Sequence, residues 1–597
     1  MTFGYHGRIL VINASKRSWQ WEAIDESILR KFIGGTGLAA YLLYQYCPQG
    51  AEPLGPENPL IFCTSPLVGT QITTSSKFVV CTKSPQTGFI GDSMSSSFLA
   101  TEIKSSGADA VILVGMSEEW TSIRVSSNGV TFDDAGDLIG LTTSATEKRL
   151  KEAHGDKYRV ACIGPAGENL VKYASISNDG GRQAGRTGSG AVMGSKKIKA
   201  LCFSGNNAVS VCDGKALAGT RKRLSVKSIG HATEKYRNLG TIANLSVFNR
   251  LGILPSNNFR NSSMPDVEAL SAETFYGQGE VKKAHCANCT IGCEKLITIP
   301  GSKSEKVRME YQSLYAMGPL NGVSDQESVL KNSKFCDEMG IDTISAGATI
   351  AWYLECSERG LLESSQAGSD ASVDSLLDLL VHRKGIGNVL AEGSAKGSDI
   401  IGAGSEKLAM HVKGLELPGY EPRTLKALAL AMAVSTRGAC HNRSSAYDWD
   451  FSNRDDSDAD TVGKAVIDGE DYSAVMDSLI WCKFIRKVFD DFYVESSVII
   501  NEVTGWDMTA EELKKCGERI NNLKKLFNIR EGWKSDDDTL PHRILTEPVN
   551  EGPNEGDRLS ENQLNVMIDS YYRARGWEQD GTIPSQKLKD MDLYTLM

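Results

Sequence analysis

Cys286-Ala287-Asn288-Cys289-Thr290-Ile291-Gly292-Cys293 constrains this chain more than any other stretch. Cysteines spaced by two and then three residues on a tight loop can point three thiolates at one corner of a cubic iron–sulfur cluster. Soft thiolate is the ligand that iron and sulfide select. A fourth iron then needs a ligand from elsewhere, and Cys482 stands alone far downstream. Gly292 beside the third cysteine lets the backbone approach closely and supply N–H donors. A zinc site more often shows paired CxxC halves or histidines. A disulfide framework suits small secreted domains rather than a chain of 597 residues. A [4Fe–4S] cluster is the favoured reading. Of the fourteen cysteines, Cys63, Cys81, Cys162 and Cys202 fall in apolar runs and read as buried thiols of a reducing cytoplasm.

Length alone allows about four domains, with a core large enough to need no staples. The net charge of −10 weighs against nucleic acid as a main partner. No apolar run approaches the roughly 18–20 residues of a membrane span. Met1-Thr2-Phe3-Gly4-Tyr5-His6 has neither the basic nor the apolar region of a secretory signal, so the expected location is the cytoplasm.

The pattern of elements is α+β. Short apolar or β-branched runs at Gly7–Asn13, Leu60–Cys63, Lys77–Thr82, Ala110–Gly115 and Val160–Gly164, punctuated by Gly and Pro, read as strands of a β-rich part over 1–208. Helical spacing takes over afterwards, as in Thr424–Val434 and Asp507–Phe527. Two helical domains are expected, 209–416 and 417–597. Ser364–Ser375 reads as a surface loop, and Asp536–Gly556 as a surface wrap without regular structure.

One short pattern recurs: Asp337-Glu338-Met339-Gly340-Ile341-Asp342 and Asp477-Ser478-Leu479-Ile480-Trp481-Cys482. Either a pseudo-symmetric pair grips something between two helical domains, or these are two unrelated helix starts. The loop Gly185-Arg186-Thr187-Gly188, running on to Gly194-Ser195-Lys196, is a weak dinucleotide-like string. No acidic residue for a ribose follows it, and the order of a P-loop is broken. Backbone N–H groups with Arg186 still suit phosphate on a cofactor.

These stretches, together with Gly34-Gly35-x-Gly37-Leu38, Lys83-Ser84-Pro85-x-Thr87-Gly88, Ala191-Val192-Met193 and Glu310-Tyr311, occur in one order along the chain. Leu417-Pro418-x-Tyr420-x-Pro422-Arg423, Arg437-Gly438-x-Cys440-His441, Phe527–Gly532, Asp538–Pro541, Tyr571-Tyr572 and Gly576-Trp577 continue it. So ordered a set resembles the aldehyde ferredoxin oxidoreductase family of tungsten-pterin enzymes almost from end to end. The resemblance implies a β-rich base for the cofactor capped by two helical domains. It implies a tungsten (or molybdenum) held by two pterins, beside a [4Fe–4S] cluster on Cys286, Cys289, Cys293 and Cys482. The two acidic elements then hold the pterins through Asp337, Gly340, Ile341, Asp342, Asp477 and Trp481. Lys77, Ser93, Gly185, Arg186, Thr187, Gly188 and Arg437 complete the implied cofactor site.

Departures from the family carry information. Ile480 and Trp481 stand where the family has Gly and Leu. Lys77 replaces an arginine between cluster and pterin, keeping the charge but losing the bidentate fork. Met94 replaces an asparagine near a Mg²⁺ that bridges the pterin phosphates; a thioether is a poor ligand, which leaves Asp92 or Ser93. The family's Glu-x-x-His iron motif between subunits is absent at Lys331–Lys334. Gln312 replaces a glutamate that resembles an active-site acid or base.

The implied reaction is aldehyde plus water to carboxylate, with electrons leaving through the cluster to a ferredoxin-like carrier. His441 is the expected proton-handling residue. Tyr311 is expected to donate to a substrate oxygen, Gln312 to orient it, and Glu310 stands beside them. Cys440 is a buried thiol or an extra metal ligand. The expected partners are that carrier, a small aldehyde or acid, and a second copy in a homodimer. Two other readings remain open at this stage: a low-potential reductase of carboxylic acids or aromatic acyl-thioesters, and a non-catalytic electron-transfer subunit.

Overall fold

Apolar runs between glycine and proline turns build twelve strands in the N-terminal part of the computed structural model, which describes residues 3–96, 98–278, 281–302, 304–363, 371–454 and 458–596. They are β1 (Arg8–Asn13), β2 (Ser18–Ala23), β3 (Leu60–Cys63), β4 (Lys77–Lys83), β5 (Ile90–Ser96) and β6 (Ala110–Val114), then β7 (Thr121–Ser126), β8 (Gly129–Asp134), β9 (Arg159–Cys162), β10 (Ile176–Asn178), β11 (Arg182–Ala184) and β12 (Ile198–Phe203). Two six-stranded sheets result, in the orders β2-β1-β6-β3-β4-β5 and β11-β10-β9-β12-β7-β8. Each has one parallel pair, β1 with β6 and β12 with β7, and is otherwise antiparallel. The runs Leu60-Ile61-Phe62-Cys63 and Ala110-Val111-Ile112-Leu113 do not alternate because both faces of their sheet are covered.

Helix Gly35–Tyr46 covers one face, and its first turn sits directly on the end of helix Ala459–Ser478. Gly35 takes φ +42°, and a Cβ there would run into the Asp477 carbonyl. The glycine-rich start of the chain thus serves close docking of base on cap. Beyond β12 the chain is mainly helical, around an apolar core that runs from Ala166 to Trp577 and passes through Leu417 without a break.

Several expectations on local structure are corrected. Ser189–Ser195 is a buried helix, and Cβ atoms at Gly190 and Gly194 would strike the carbonyls of Ser175 and Gly167, so these glycines serve helix packing. Asp536–Gly556 is not a bare surface wrap: it contains helix His542–Thr546, buries Arg543 completely and pairs it with Glu355. Of Ser364–Ser375, residues 364–370 lie outside the described residues, while 373–375 open helix Val373–Val381. Among the described residues no helix is long and apolar enough to cross a membrane.

Candidate functional site

A cavity of about 730 Å³ lies where β4, β5 and β11 meet the cysteine loop, the two acidic elements and the Arg437–Arg443 stretch. Cys286, Cys289, Cys293 and Cys482 all line it. The loop spans strands Val281–Ala284 and Glu294–Thr298 and turns back through left-handed Asn288 (φ +56°) and Gly292 (φ +59°). Thr73 and Thr74, just before β4, bring the distant cysteine to it. The Thr73 hydroxyl accepts from the Thr290 N–H at 3.1 Å, and the Thr74 carbonyl accepts from the Cys482 N–H at 3.0 Å. Arg182 donates to Cys286 Sγ at 3.0 Å. Cys289 and Arg182 together pull the Cys286 thiol well below its usual range, against burial. Among the described residues no three His, Cys, Asp or Glu side chains converge on one point as ligands of a single ion must.

The two acidic elements are helix ends, not helix starts. Gln326–Met339 closes on Gly340 at φ +72°, and Ala459–Ser478 runs through Leu479 to Ile480 at φ +68°. In each turn the following N–H reaches back five residues, Ile341 to Cys336 at 3.0 Å and Trp481 to Met476 at 2.9 Å, as in a Schellman cap. The sixth residue of each donates its N–H to the base, Asp342 to Tyr173 at 3.1 Å and Cys482 to Thr74 at 3.0 Å. Asp337, Ile341 and Asp342 face the cavity from one side, Asp477 and Cys482 from the other. The pair does grip one space between two helical regions.

Their electrostatics differ. Burial pushes the Asp337 carboxyl up to about 8, with Arg308 only partly opposing it. Burial would raise Asp477 too, but Lys483, Arg443 and Lys77 outweigh it and hold that carboxylate below its usual range. Arg443 donates to Asp477 at 2.7 Å, and Lys483 pairs with it at 3.1 Å. Asp342 is already committed: it caps helix Thr343–Glu358 through Ile344 and Ser345 and accepts from Arg186 at 3.2 Å.

Cations dominate the wall around His441. Arg186, Arg437, Arg443 and Lys483 all face the cavity, as does Lys77. Arg186 spends its donors on Asp342, Ala439 O at 2.7 Å and Glu416 O at 2.6 Å, so it braces the site. Arg437 donates to the Asp92 carbonyl and to Cys440 Sγ at 2.8 Å, while its Nε is buried without a partner. Burial would raise the Cys440 thiol, but Arg437, Arg443 and Arg186 pull it down; it lies behind the wall rather than on it. Burial, then Arg186, Arg437, Arg443 and Lys483, push His441 down to about 3, so its imidazole is neutral at ordinary pH. Its Nδ1 and the Nε2 of Gln312 are also buried without partners, while Gln312 Oε1 accepts from the Gly419 N–H at 3.0 Å. Orphaned donors and surplus positive charge on one wall fit a large, polyanionic group with many acceptors.

Not every expected residue reaches this space. Thr187, Gly188, Gly340 and Trp481 do not line the cavity. The Thr187 hydroxyl turns back to the Arg186 carbonyl at 2.6 Å, and a Cβ on Gly188 would strike Lys172. Gly340 shapes its turn, and Trp481 packs edge-on against Phe489 at 5.3 Å in a buried core. Asp92 is not free for a metal: Arg443 at 3.2 Å and Lys524 at 2.9 Å saturate it. Met94 lies 3.7 Å from Arg443 Nη1, and Ser93 does face the cavity. Tyr311 spends its only hydroxyl proton on the Gly419 carbonyl, so it does not donate to a substrate. Glu310 and Gly185 line the cavity. Sequence reasoning missed Arg182, Arg443 and Lys483. Adjacency to His441 and Cys482 was the available signal for the last two; nothing local marks Arg182.

Comparison with known proteins agrees with this geometry. The family description for the N-terminal domain of aldehyde ferredoxin oxidoreductase matches residues 9–205, and that for its domains 2 and 3 matches 218–593. The chain is 36% identical to the tungsten-containing aldehyde ferredoxin oxidoreductases of Pyrococcus furiosus and Thermococcus kodakarensis, over 99% of this chain and 99% of each relative. It is 27% identical to the WOR-like subunit of an aliphatic sulfonate oxidoreductase of Pyrococcus furiosus, over 99% of this chain and 97% of that one. Among solved structures, the active-site complex of benzoyl coenzyme A reductase with 1,5-dienoyl-CoA superposes with a TM-score of 0.87 at 25% identity, covering 100% of this chain and 98% of that one.

Proposed function

The chain belongs to the aldehyde ferredoxin oxidoreductase family, and from that premise we propose that it oxidises an aldehyde to its carboxylate at a tungsten-bis-pterin centre. In the balanced reaction R–CHO and water give R–COOH, two protons and two electrons. The observation that carries the reading is one cavity holding the four cysteines, both acidic elements and His441 together. When bound, the tungsten-pterin group supplies the two-electron acceptor and polarises an oxygen.

The residues of this chain bind, orient and move protons. Arg437, Lys77, Gly185 and the two acidic elements would hold the pterins, with Asp337 able to accept from a ring N–H when ionised or donate to a ring nitrogen or carbonyl oxygen when protonated. Cys286, Cys289, Cys293 and Cys482 would ligate a [4Fe–4S] cluster, with the Arg182 guanidinium stabilising thiolate at Cys286. A Mg²⁺ between pterin phosphates would have Ser93, not Met94 or Asp92, as its side-chain neighbour. His441, expected to handle protons near neutrality, is instead held neutral by burial and the four cations and offers its free Nδ1 for a hydrogen bond, and Gln312 Nε2 offers a hydrogen bond to a substrate oxygen. Exposed Lys282 and Lys283, beside the loop, have no ion-pair partner among the described residues and offer an acidic electron carrier a basic approach. The carrier would be ferredoxin-like, the location cytoplasmic, the boundary between the helical domains near 416, and the assembly a homodimer.

The test is anaerobic purification, metal and pterin analysis, and aldehyde-dependent reduction of a viologen dye. Tungsten with two pterins per chain and dye reduction support the reading; absence of pterin leaves an electron-transfer subunit. Gln312 favours one alternative, because an amide cannot exchange a proton during aldehyde oxidation. That alternative is a low-potential reductase of aromatic acyl-thioesters, read out as thioester-dependent oxidation of reduced dye.

A further inference from the structure

Five aromatic side chains gather on the His441 side of the cavity and line it: Phe248, Tyr311, Tyr420, Tyr447 and Phe451. Ring centroids lie 5.0 Å apart for Phe248 and Tyr311, 5.4 Å for Phe248 and Tyr420, and 5.9 Å for Phe248 and Phe451. Tyr447 stacks on Tyr420 at 5.1 Å and stands 6.0 Å from Phe451. The His441 imidazole is 5.2 Å from the Tyr420 ring. Phe248, Tyr311 and Tyr420 are buried, and the set opens to solvent at its outer end. Here Phe451 is 43% exposed and Leu251 41% exposed, and both line the cavity. Keeping large apolar side chains in water is unfavourable, so this lip marks a passage for an apolar ligand. Two polar groups beside the rings are spent, Tyr311 on Gly419 and Asp448 on Arg486 at 2.9 Å, while Gln312 Nε2 and His441 Nδ1 stay open to a carbonyl oxygen.

We infer that the substrate aldehyde is carried on a flat aryl ring, seated among Phe248, Tyr420, Tyr447 and Phe451 with its carbonyl toward His441. Offset-stacked and edge-to-face contacts both become available to such a ring. A short aliphatic aldehyde forgoes these ring contacts. This inference rests on the proposed aldehyde oxidation, so its test has one arm that does not need turnover.

In the cofactor-loaded protein, calorimetry compares benzamide with acetamide, two neutral unreactive analogues, and dye reduction compares benzaldehyde with acetaldehyde. Benzamide is expected to bind about tenfold tighter or more, and benzaldehyde to have kcat/KM higher by about tenfold or more, since apolar pocket filling is worth that range. Phe451→Ser, at the exposed lip, and the conservative Phe248→Leu should both narrow these ratios. Equal binding of the two amides, or acetaldehyde preferred in turnover, overturns the inference and leaves aldehyde oxidation standing. A benzamide preference with no aldehyde oxidised does the reverse. Benzamide affinity unchanged in both variants also overturns it, because the ring then sits elsewhere.

Discussion

Asp337–Asp342 and Asp477–Cys482 fold into the same turn and do different work in it. Both end a helix, both pass through a left-handed fourth residue, and both dock their sixth N–H on the base. In the first, glycine takes the left-handed position; in the second, Ile480 takes it while fully buried. The first carboxyl is desolvated without a cation in ion-pair contact among the described residues, the second is clamped by Arg443 and Lys483. The first ends on an aspartate that caps the next helix, the second on a thiol that lines the cavity with the three loop cysteines. What repeats is a backbone geometry, and side chains have diverged on it. One half of the cavity is tuned for a movable proton, the other for fixed charge beside a thiol.

The largest expected effect separates the two sixth residues. Cys482→Ser should lose most of the cluster iron and its visible absorption, whereas Asp342→Asn should keep both. Full iron in Cys482→Ser would make it a plain thiol. Next, Asp477→Ala leaves Lys483 buried without its ion-pair partner and Arg443 with Asp92 alone, and should cost about 3–5 kcal/mol in urea unfolding. Asp337→Ala should cost clearly less; equal losses would erase the electrostatic contrast.

A pH series sharpens the same contrast. The folded Asp337 carboxyl titrates at about 8 against an ordinary 3.8, so between these values the folded state holds a proton that the unfolded chain has released. Stability of the cofactor-free protein should therefore fall as pH rises through that window, by about 6 kcal/mol from this residue over the whole window. Asp337→Asn should flatten that slope. Asp477 works in the opposite sense: its contribution is present above the ordinary carboxylate value and is lost as pH falls through its lowered one. A slope identical in Asp337→Asn and wild type would remove the proton-holding role.

The smallest effect concerns the fourth residue. Ile480→Gly relieves a left-handed isoleucine but empties a buried site, and emptying wins, with a net loss of about 1–3 kcal/mol. A stabilised variant would mean that backbone strain outweighs packing there.

The cysteine spacing was fully legible, because ligand spacing on one loop is a local property. Five of the twelve strands of the base were legible too, with β3 expected to the residue and the others within one or two, since β-branched runs between turn residues are local. The two acidic hexads were legible as a pair, but their place at helix ends was not. A Gly announces a cap; an isoleucine in the left-handed region does not. Trp481, Thr187 and Gly188 were expected at the cofactor by position and do not line the cavity, because one turn of backbone separates facing the cavity from facing the core.

By itself the sequence determined the chemistry available: four soft ligands, two carboxylate hexads, a histidine beside arginines, and the family order that joins them. Only the tertiary structure decided which groups remain free to act. Thr73 and Thr74 bring Cys482 to a loop nearly two hundred residues away. Gly419 takes the Tyr311 proton, Arg443 and Lys524 close Asp92 to metal, and Arg182 reaches Cys286 from another sheet. Phe248, Tyr420 and Phe451 become one wall through contacts far apart in the chain. Hydrogen-bond donors, charge and apolar surface are each satisfied by whatever neighbour the fold supplies. Residue type fixes what a side chain is able to do, and long-range packing fixes whether that capacity is already spent.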